Sequence, residues 1–305
     1  MAAINEGVFI GKVTKEPVIK YLGENHIPFF ECVIQIKRPN SNNIKDLNKQ
    51  SDFISVIAWN EDAEKYYNEI RKGDMVLVEG RFQSRNIERE NKPSDEQHNE
   101  LIELFLENQI EKRKEVLENI LTILELDGRK STHMQYQISA LNIKKIDFNE
   151  DLYMNKLTLL GKLVQEPEFK YVKNSKGEMH PLWKGYIAVN RPFNQHANDD
   201  DKKADYIHLV DWGEEAEACN AHTQNKSQIA LVGKIYSRNF IKINQPEVDQ
   251  YNKLLDFIKT LDIDDKDSFM EKVLEIFNLN EKKVNNVAYE VSISHVEFLN
   301  NCIFD

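Results

Sequence analysis

The stretch "GRFQSRN" runs from Gly80 to Asn86, and "GKIYSRN" runs from Gly233 to Asn239. Each follows a short apolar run, "MVLVE" in the first case and "IALV" in the second. The two copies lie 153 residues apart and share their last three letters. A β-rich run with an internal glycine is the pattern of a strand that bends where a sheet curls. Its recurrence at fixed distance asks for a search for an internal repeat.

Working outward, the halves match along most of their length. "FIGKVTKEPVIKY" (Phe9 to Tyr21) pairs with "LLGKLVQEPEFKY" (Leu159 to Tyr171) at an offset of 150. From Pro28 and Pro181 onward the offset is 153, so three residues were gained or lost in the turn after the shared tyrosine. Arg38-Pro39 matches Arg191-Pro192, and "SDFISVIAW" matches "ADYIHLVDW". "NELIELF" (Asn99 to Phe105) matches "NKLLDFI" (Asn252 to Ile258), "ENILTIL" matches "EKVLEIF", and "YQIS" from Tyr136 matches "YEVS" from Tyr289, all at 153. A complete domain was duplicated, giving boundaries at 1–150 and 151–305.

Within one unit most segments read as strands. In "SDFISVIAW" the residues Phe53, Ser55, Ile57 and Trp59 fall on one face, and Ile54, Val56 and Ala58 on the other. Short antiparallel strands with a glycine at the corner predict a small closed barrel. "NEDAEKYYNEIRKG" predicts a short helix stopping at Gly73. Between the fourth and fifth strands the period becomes helical, over about 93–130 and 247–283. Ser94 and Gln97 form a capping-box pattern at the start of the first insertion. Leu101, Ile102, Phe105, Ile120, Leu121 and Leu124 form an apolar stripe there, and Leu254, Leu255, Ile258, Val273, Leu274 and Phe277 repeat it. Each insertion is therefore expected to be an αα-hairpin, docked in the same way on its own barrel. The fold class is mainly β with α insertions: two tandem five-stranded barrels, each carrying a helical hairpin.

The 305 residues suffice for two cores, and hydrophobic residues at 41% with charged residues at 30% describe an ordinary soluble composition. No apolar run approaches the length needed to span a membrane. The N-terminus lacks the pattern of a signal peptide. Three cysteines, Cys32, Cys219 and Cys302, offer no disulfide framework and no zinc spacing, so a reducing intracellular setting is expected. There is no phosphate-cradling glycine loop, no nucleophile triad and no metal-ligand cluster; the loop "NQHANDDDKK" around His196 reads as a solvated segment. No cofactor, metal or catalytic residue is expected. Net charge is −11, which alone argues against a nucleic-acid binder. The charge is unevenly spread, however. Residues 1–92 are neutral and 155–246 carry +2, while 93–130 carry −5 and 247–283 carry −4. The acidity sits mostly in the insertions.

The motifs "GK(L/V)…P…KY", "AVNRPF", "D(F/Y)I…W…AE" and "GR…SRN", in this order and twice over, resemble the bacterial single-stranded DNA-binding protein family, whose fold is the OB-fold barrel. The resemblance covers about 1–92 with 131–150, and 155–246 with 284–299. The helical insertions lie outside the family pattern, and that family's acidic tail with a Pro-Phe tip has no counterpart. The resemblance implies a nonenzymatic, largely sequence-nonspecific binder of single-stranded DNA, with RNA left open, serving replication, recombination, repair or the DNA of a plasmid or phage. It implies a cytoplasmic, nucleoid-associated protein. Two-domain family members pair as homodimers to present four barrels, and the same is expected here.

Nonspecific single-strand binding takes rings for stacking and cations for phosphates. By resemblance the second unit keeps four rings, Phe193, Tyr206, Trp212 and Phe240. The first keeps Phe53 and Trp59, with Asn40 and Ile87 at the other two positions. Strand parity independently aligns Lys234, Tyr236, Arg238 and Phe240 in a basic–aromatic row, against Arg81, Gln83, Arg85 and Ile87 in the first unit. Arg38 and Arg191, from the shared Arg-Pro, complete the candidate set. Rings on alternating strands commonly belong to a core, and arginines on a barrel are commonly just solvated. The competing reading is therefore an OB-fold scaffold for protein contacts with little nucleic-acid binding. The acidic insertions offer a surface for protein partners under either reading.

Overall fold

The computed structural model describes residues 3–39, 50–147, 152–173, 177–191 and 204–299. The chain divides into two compact units. One comprises Met1–Arg85, Gln135–Arg238 and Val287–Asp305; the other comprises Asn86–Met134 and Asn239–Asn286.

The first unit is built of strands from both repeats. The first repeat contributes β1 (Ile4–Val13), β2 (Val18–Leu22), β3 (Ile27–Lys37), β4 (Ser51–Trp59), β5 (Met75–Glu90) and β6 (Lys130–Lys145), with helix α1 (Asn60–Glu69) after β4. The pairings return to their start: β1 pairs with β3 and β5, β3 with β4, β4 with β6 in parallel, and β6 with β5. The core face of β4 carries Ile54, Val56 and Ala58, all buried. Gly80, the corner glycine of the opening motif, sits where β5 crosses β6. A Cβ there would stand 2.5 Å from the Ser139 carbonyl oxygen, so only glycine permits this crossing. Helix α1 ends earlier than its sequence pattern predicts, because Ile70 turns into the core and Gly73 (φ +93°) belongs to the following turn.

The second repeat contributes β7 (Met154–Leu163), β8 (Glu168–Lys173), β9 (Met179–Asn190), β10 (Ala204–Trp212), β11 (Gln228–Asn244) and β12 (Lys282–Phe298), with α4 (Glu214–His222) after β10. Its register copies the first. Val56 faces Ile138 and Ile57 faces Ser139, just as Leu209 faces Val291 and Val210 faces Ser292. Gly233 meets the Ser292 carbonyl oxygen as Gly80 meets that of Ser139. The three-residue change of offset falls between β8 and β9, where 174–176 lie outside the described residues.

The repeats are joined edge to edge. β1 and β7 pair antiparallel from Ile4↔Leu160 to Ile10↔Met154, centred on Gly7↔Leu157. Gly7 and Leu157 are themselves equivalent positions, so the pairing relates the repeats by a local two-fold. Apolar side chains of both repeats, among them Phe9, Phe30 and Phe82 with Leu159, Trp183 and Ile235, form one continuous core.

The second unit contains the insertions: α2 (Asp95–Glu107) and α3 (Arg113–Ile123) from the first repeat, α5 (Val248–Lys259) and α6 (Lys266–Ile276) from the second. The expected capping box is present: the Gln97 amide donates to Ser94 Oγ, and the Ser94 amide donates to Gln97 Oε1. The equivalent Glu247 amide donates to Gln250 Oε1. Of the two expected stripes, Leu101, Phe105, Ile120, Leu124, Leu254, Ile258, Val273, Leu274 and Phe277 are buried, while Ile102, Leu121 and Leu255 are partly so. Their partner differs from the expectation. The buried stripes of the two hairpins share one core with each other. α2 packs on α6 and α3 on α5, reciprocally. The Phe105 and Phe269 rings stack at 6.1 Å, and Gln97 Nε2 donates to the Ile276 carbonyl. An apolar stripe requires a cover, and the nearest complementary surface is its own duplicate.

Candidate nucleic-acid interface

The alternation of β10 decides what faces solvent. Asp205, Ile207 and Leu209 point inward and are buried, while Tyr206, His208 and Trp212 point outward. Trp212 is 50% exposed and Tyr206 39%, so neither ring is core. Tyr186, on the outward face of β9, stacks on Tyr206 at 6.0 Å and lies tilted against the His208 imidazole at 4.3 Å. Lys184 stands on the same face of β9. Burial, with Lys184 adding to it and Glu290 opposing, lowers the His208 pKa below its usual range. This face therefore holds aromatic rings, an imidazole whose surroundings disfavour its charged form, and a lysine.

The matching face of the first repeat is poorer. Phe53 and Trp59 are half-buried, and Trp59 packs against Phe29 at 4.7 Å. Val33 occupies the position of Tyr186, Ser55 that of His208, and Glu31 that of Lys184. Ser55 Oγ donates to Glu31.

The β11 row follows its parity: Lys234 and Tyr236 are half-buried, Arg238 is exposed, and Phe240, further along in the second unit, is 43% exposed. Arg81 is half-buried, Arg85 exposed, and Ile87 lies further along β5 in the second unit. Phe193 and Asn40 lie outside the described residues, as do His196 and Cys302.

Arg38 and Arg191 occupy a setting that sequence did not anticipate. Arg38 Nη2 donates to Asp52 at 2.6 Å and to the carbonyl of Ser237, in the other repeat, at 2.8 Å. The Ser237 amide donates to Asp52 at 2.7 Å, and Ser237 Oγ accepts from the Phe53 amide at 2.9 Å. The same arrangement recurs with the roles exchanged. Arg191 Nη2 donates to Asp205 and to the Ser84 carbonyl, the Ser84 amide donates to Asp205, and Ser84 Oγ accepts from the Tyr206 amide at 2.8 Å. Asp52 and Asp205 are buried, and each is hydrogen-bonded across the repeat junction, as a buried carboxylate must be. Burial works against the Arg38 charge, but Asp52 outweighs it and the pKa is raised. The Arg38 guanidinium also lies over the Tyr236 ring at 4.7 Å. The serine of "SRN" is thus a fastener between repeats. Its signal in the sequence was identity in both halves together with that of the Asp and Arg.

Comparison with known proteins bears on this geometry. The model of the single-strand binding protein family matches residues 4–107 and 154–256, well over half of the chain. The chain belongs to that family. A single-stranded DNA-binding protein of Oceanobacillus iheyensis is 36% identical over 85 residues, 28% of this chain and 51% of its own length. Single-stranded DNA-binding protein 1 of Streptococcus pyogenes is 32% identical over 85 residues, 28% of this chain and 63% of its own length. The chain therefore spans only about half to two thirds of these family relatives. The crystal structure of the wild-type single-stranded DNA binding protein from Thermus aquaticus matches 78% of this chain and 87% of its own, with a TM-score of 0.49 and 14% identity.

Within this family member, the described residues contain no group of three or more potential metal ligands, and none of the helices among them is long and apolar enough to cross a membrane.

Proposed function

We propose that this chain binds single-stranded DNA without reading its sequence and catalyses no reaction. The observation that carries the reading is the outward face of β10: two large rings, Tyr206 and Trp212, stand in solvent on a strand whose opposite face is core. Bases stack on such rings whatever their identity, which makes the contact sequence-tolerant. Tyr186 extends the platform. Phe53, Trp59, Phe193 and Phe240 are proposed to add rings. Arg81, Arg85, Lys234 and Arg238 are proposed to follow phosphates. Arg38 and Arg191 are proposed to act mainly by fastening the repeats, since each is held by a buried carboxylate. With barrels near neutrality, phosphate contacts are few and binding should fall only shallowly with salt.

The repeat halves 1–150 and 151–305 are proposed as the units of duplication. A homodimer presenting four barrels, a cytoplasmic nucleoid-bound location, roles in replication, recombination and repair or in plasmid or phage DNA, and protein partners at the acidic insertions follow from family likeness and belong to the same proposal. The test is quenching of tryptophan fluorescence in the full chain by oligo-dT, with oligo-rU measured beside it. Saturable quenching lost in Trp212→Ala supports the reading. No quenching at micromolar protein in low salt would leave the OB-fold scaffold as the better account.

A further inference from the structure

We infer that each nucleic-acid groove is composite, with the rings supplied by one repeat and the phosphate-facing cations by the other; this rests on the single-strand reading above. Four observations within the first unit carry it. First, the Tyr206 amide, at the centre of the second repeat's ring face, donates to Ser84 Oγ of the first repeat, and the Phe53 amide donates to Ser237 Oγ of the second. Arg85 and Arg238 immediately follow those serines, so each exposed arginine stands one residue from the other repeat's ring strand.

Second, each junction sets an arginine against groups of the other repeat. Arg81 lies close enough to Asp205 and Arg191 to feel both, after burial as the main influence on its lowered pKa. Asp205 is bonded to Arg191 of its own repeat and also acts, through its charge, on Arg81 of the other. The counterpart junction sets Arg38 of the first repeat beside Tyr236 and Ser237 of the second, bonded to Asp52 and near enough to Glu290 to feel its charge. A cation beside a ring, as Arg38 is beside Tyr236, is what a sugar–phosphate chain requires as it leaves a stacked base.

Third, the ring face of the second repeat is floored by a residue of the first. Tyr136, on β6, meets the His208 imidazole edge-on at 6.4 Å and stacks on Phe82 at 5.5 Å. In the reciprocal place Tyr289, on β12, donates its hydroxyl to the Phe53 carbonyl at 3.0 Å. The backbone of Phe53 is therefore held at both its amide and its carbonyl by the second repeat. Fourth, the β1–β7 pairing and the common core leave these junctions no freedom to open as separate domains would.

The test is a pair of double-mutant cycles in the full-length protein, read by fluorescence anisotropy with labelled dT of about ten nucleotides, short enough to occupy one groove. Arg85 and Tyr206 are both exposed at the surface, so Arg85→Ala and Tyr206→Ala leave the core intact. Each should weaken binding, the ring by about fivefold or more. In a composite groove the double variant loses less than the product of the two single losses, by about threefold or more. The control cycle joins Arg85→Ala to Phe53→Ala, within one repeat, and its losses should multiply. Arg85→Lys should recover most of the Arg85→Ala loss by restoring the charge. Independent losses for Arg85 and Tyr206, or coupling of Arg85 to Phe53 instead, would overturn the composite groove while leaving single-strand binding in place. If no single variant weakens dT binding at all, the single-strand reading itself fails, and this inference fails with it.

Discussion

Trp212 and its neighbour Asp211 show how one turn of strand serves two ends. The ring points out and is half-exposed; the carboxylate points in, where it accepts the Trp212 amide at 2.8 Å and the Cys219 thiol at 3.6 Å. Trp212→Ala should weaken oligo-dT binding by about 1–3 kcal/mol and leave the melting temperature within a degree or two; a large drop in melting temperature would mean the ring supports the fold instead. Asp211 replaces the alanine that the first repeat has at this position, Ala58. Burial raises its pKa from 3.8 to about 6, with the Glu215 charge adding to the rise and the Trp212 amide and Cys219 thiol opposing it. The folded protein thus holds this proton more tightly than the unfolded chain does. The contribution of Asp211 is most favourable below about pH 4, diminishes as pH rises toward 6, and is fully lost above that. The penalty at neutral pH is on the order of 2–3 kcal/mol. Asp211→Asn keeps an acceptor for the Trp212 amide and carries no charge to bury. It should melt higher than the parent at pH 7.5 and converge with it near pH 4. Parallel pH profiles for the two proteins would show that Asp211 ionises freely.

At the scale of elements, the glycine of each "SRN" strand fixes how the sheet closes. A Cβ on Gly233 would stand 2.6 Å from the Ser292 carbonyl oxygen, a distance that only movement of β11 or β12 can relieve. Gly233→Ala should therefore cost about 2 kcal/mol or more, read by thermal or urea unfolding; an alanine variant as stable as the parent would mean the crossing is slack. This glycine was visible in the sequence because it recurs, and so was the alternation of β10, since parity alone tells which side chains share a face. Tyr186 was not found, although its place on β9 opposite His208 makes it part of the platform. A lone tyrosine in an apolar strand gives no sign of which neighbour it stacks on. The helical stripes were legible for the same reason as the strands, through their period. What covers them was not. Periodicity shows that a face is buried and is silent about the surface it is buried against, and here that surface belongs to the other insertion. The stacked pair Phe105–Phe269 tests this: Phe105→Ala should cost about 3–5 kcal/mol, and in combination with Phe269→Ala the two losses should be less than additive. Additive losses would place the two rings in separate cores.

For the whole molecule, the contacts between the repeats run between equivalent positions of the two halves. The β1–β7 ladder, the reciprocal Arg–Asp–Ser fasteners and the common core of the hairpins all relate a residue to a partner about half a chain away. Each half alone would leave an unpaired strand edge, a buried carboxylate without its cross-repeat donors, and an uncovered apolar stripe. Exposed edges and stripes of that kind seek partners, and a carboxylate stripped of buried donors is costly. Residues 1–150 and 151–305 should therefore be poorly soluble or self-associated when expressed singly. Expressed together with a tag on only one piece, they should purify as a one-to-one pair that migrates with the 35.7 kDa parent in size exclusion, provided the parent's own state is measured in the same buffer. Asp52→Ala and Asp205→Ala together, which remove both fasteners, should weaken that pairing and lower the melting temperature of the intact chain. Two halves that each behave as stable monomers and ignore one another when mixed would mean that the repeats are independent barrels joined only by their covalent link.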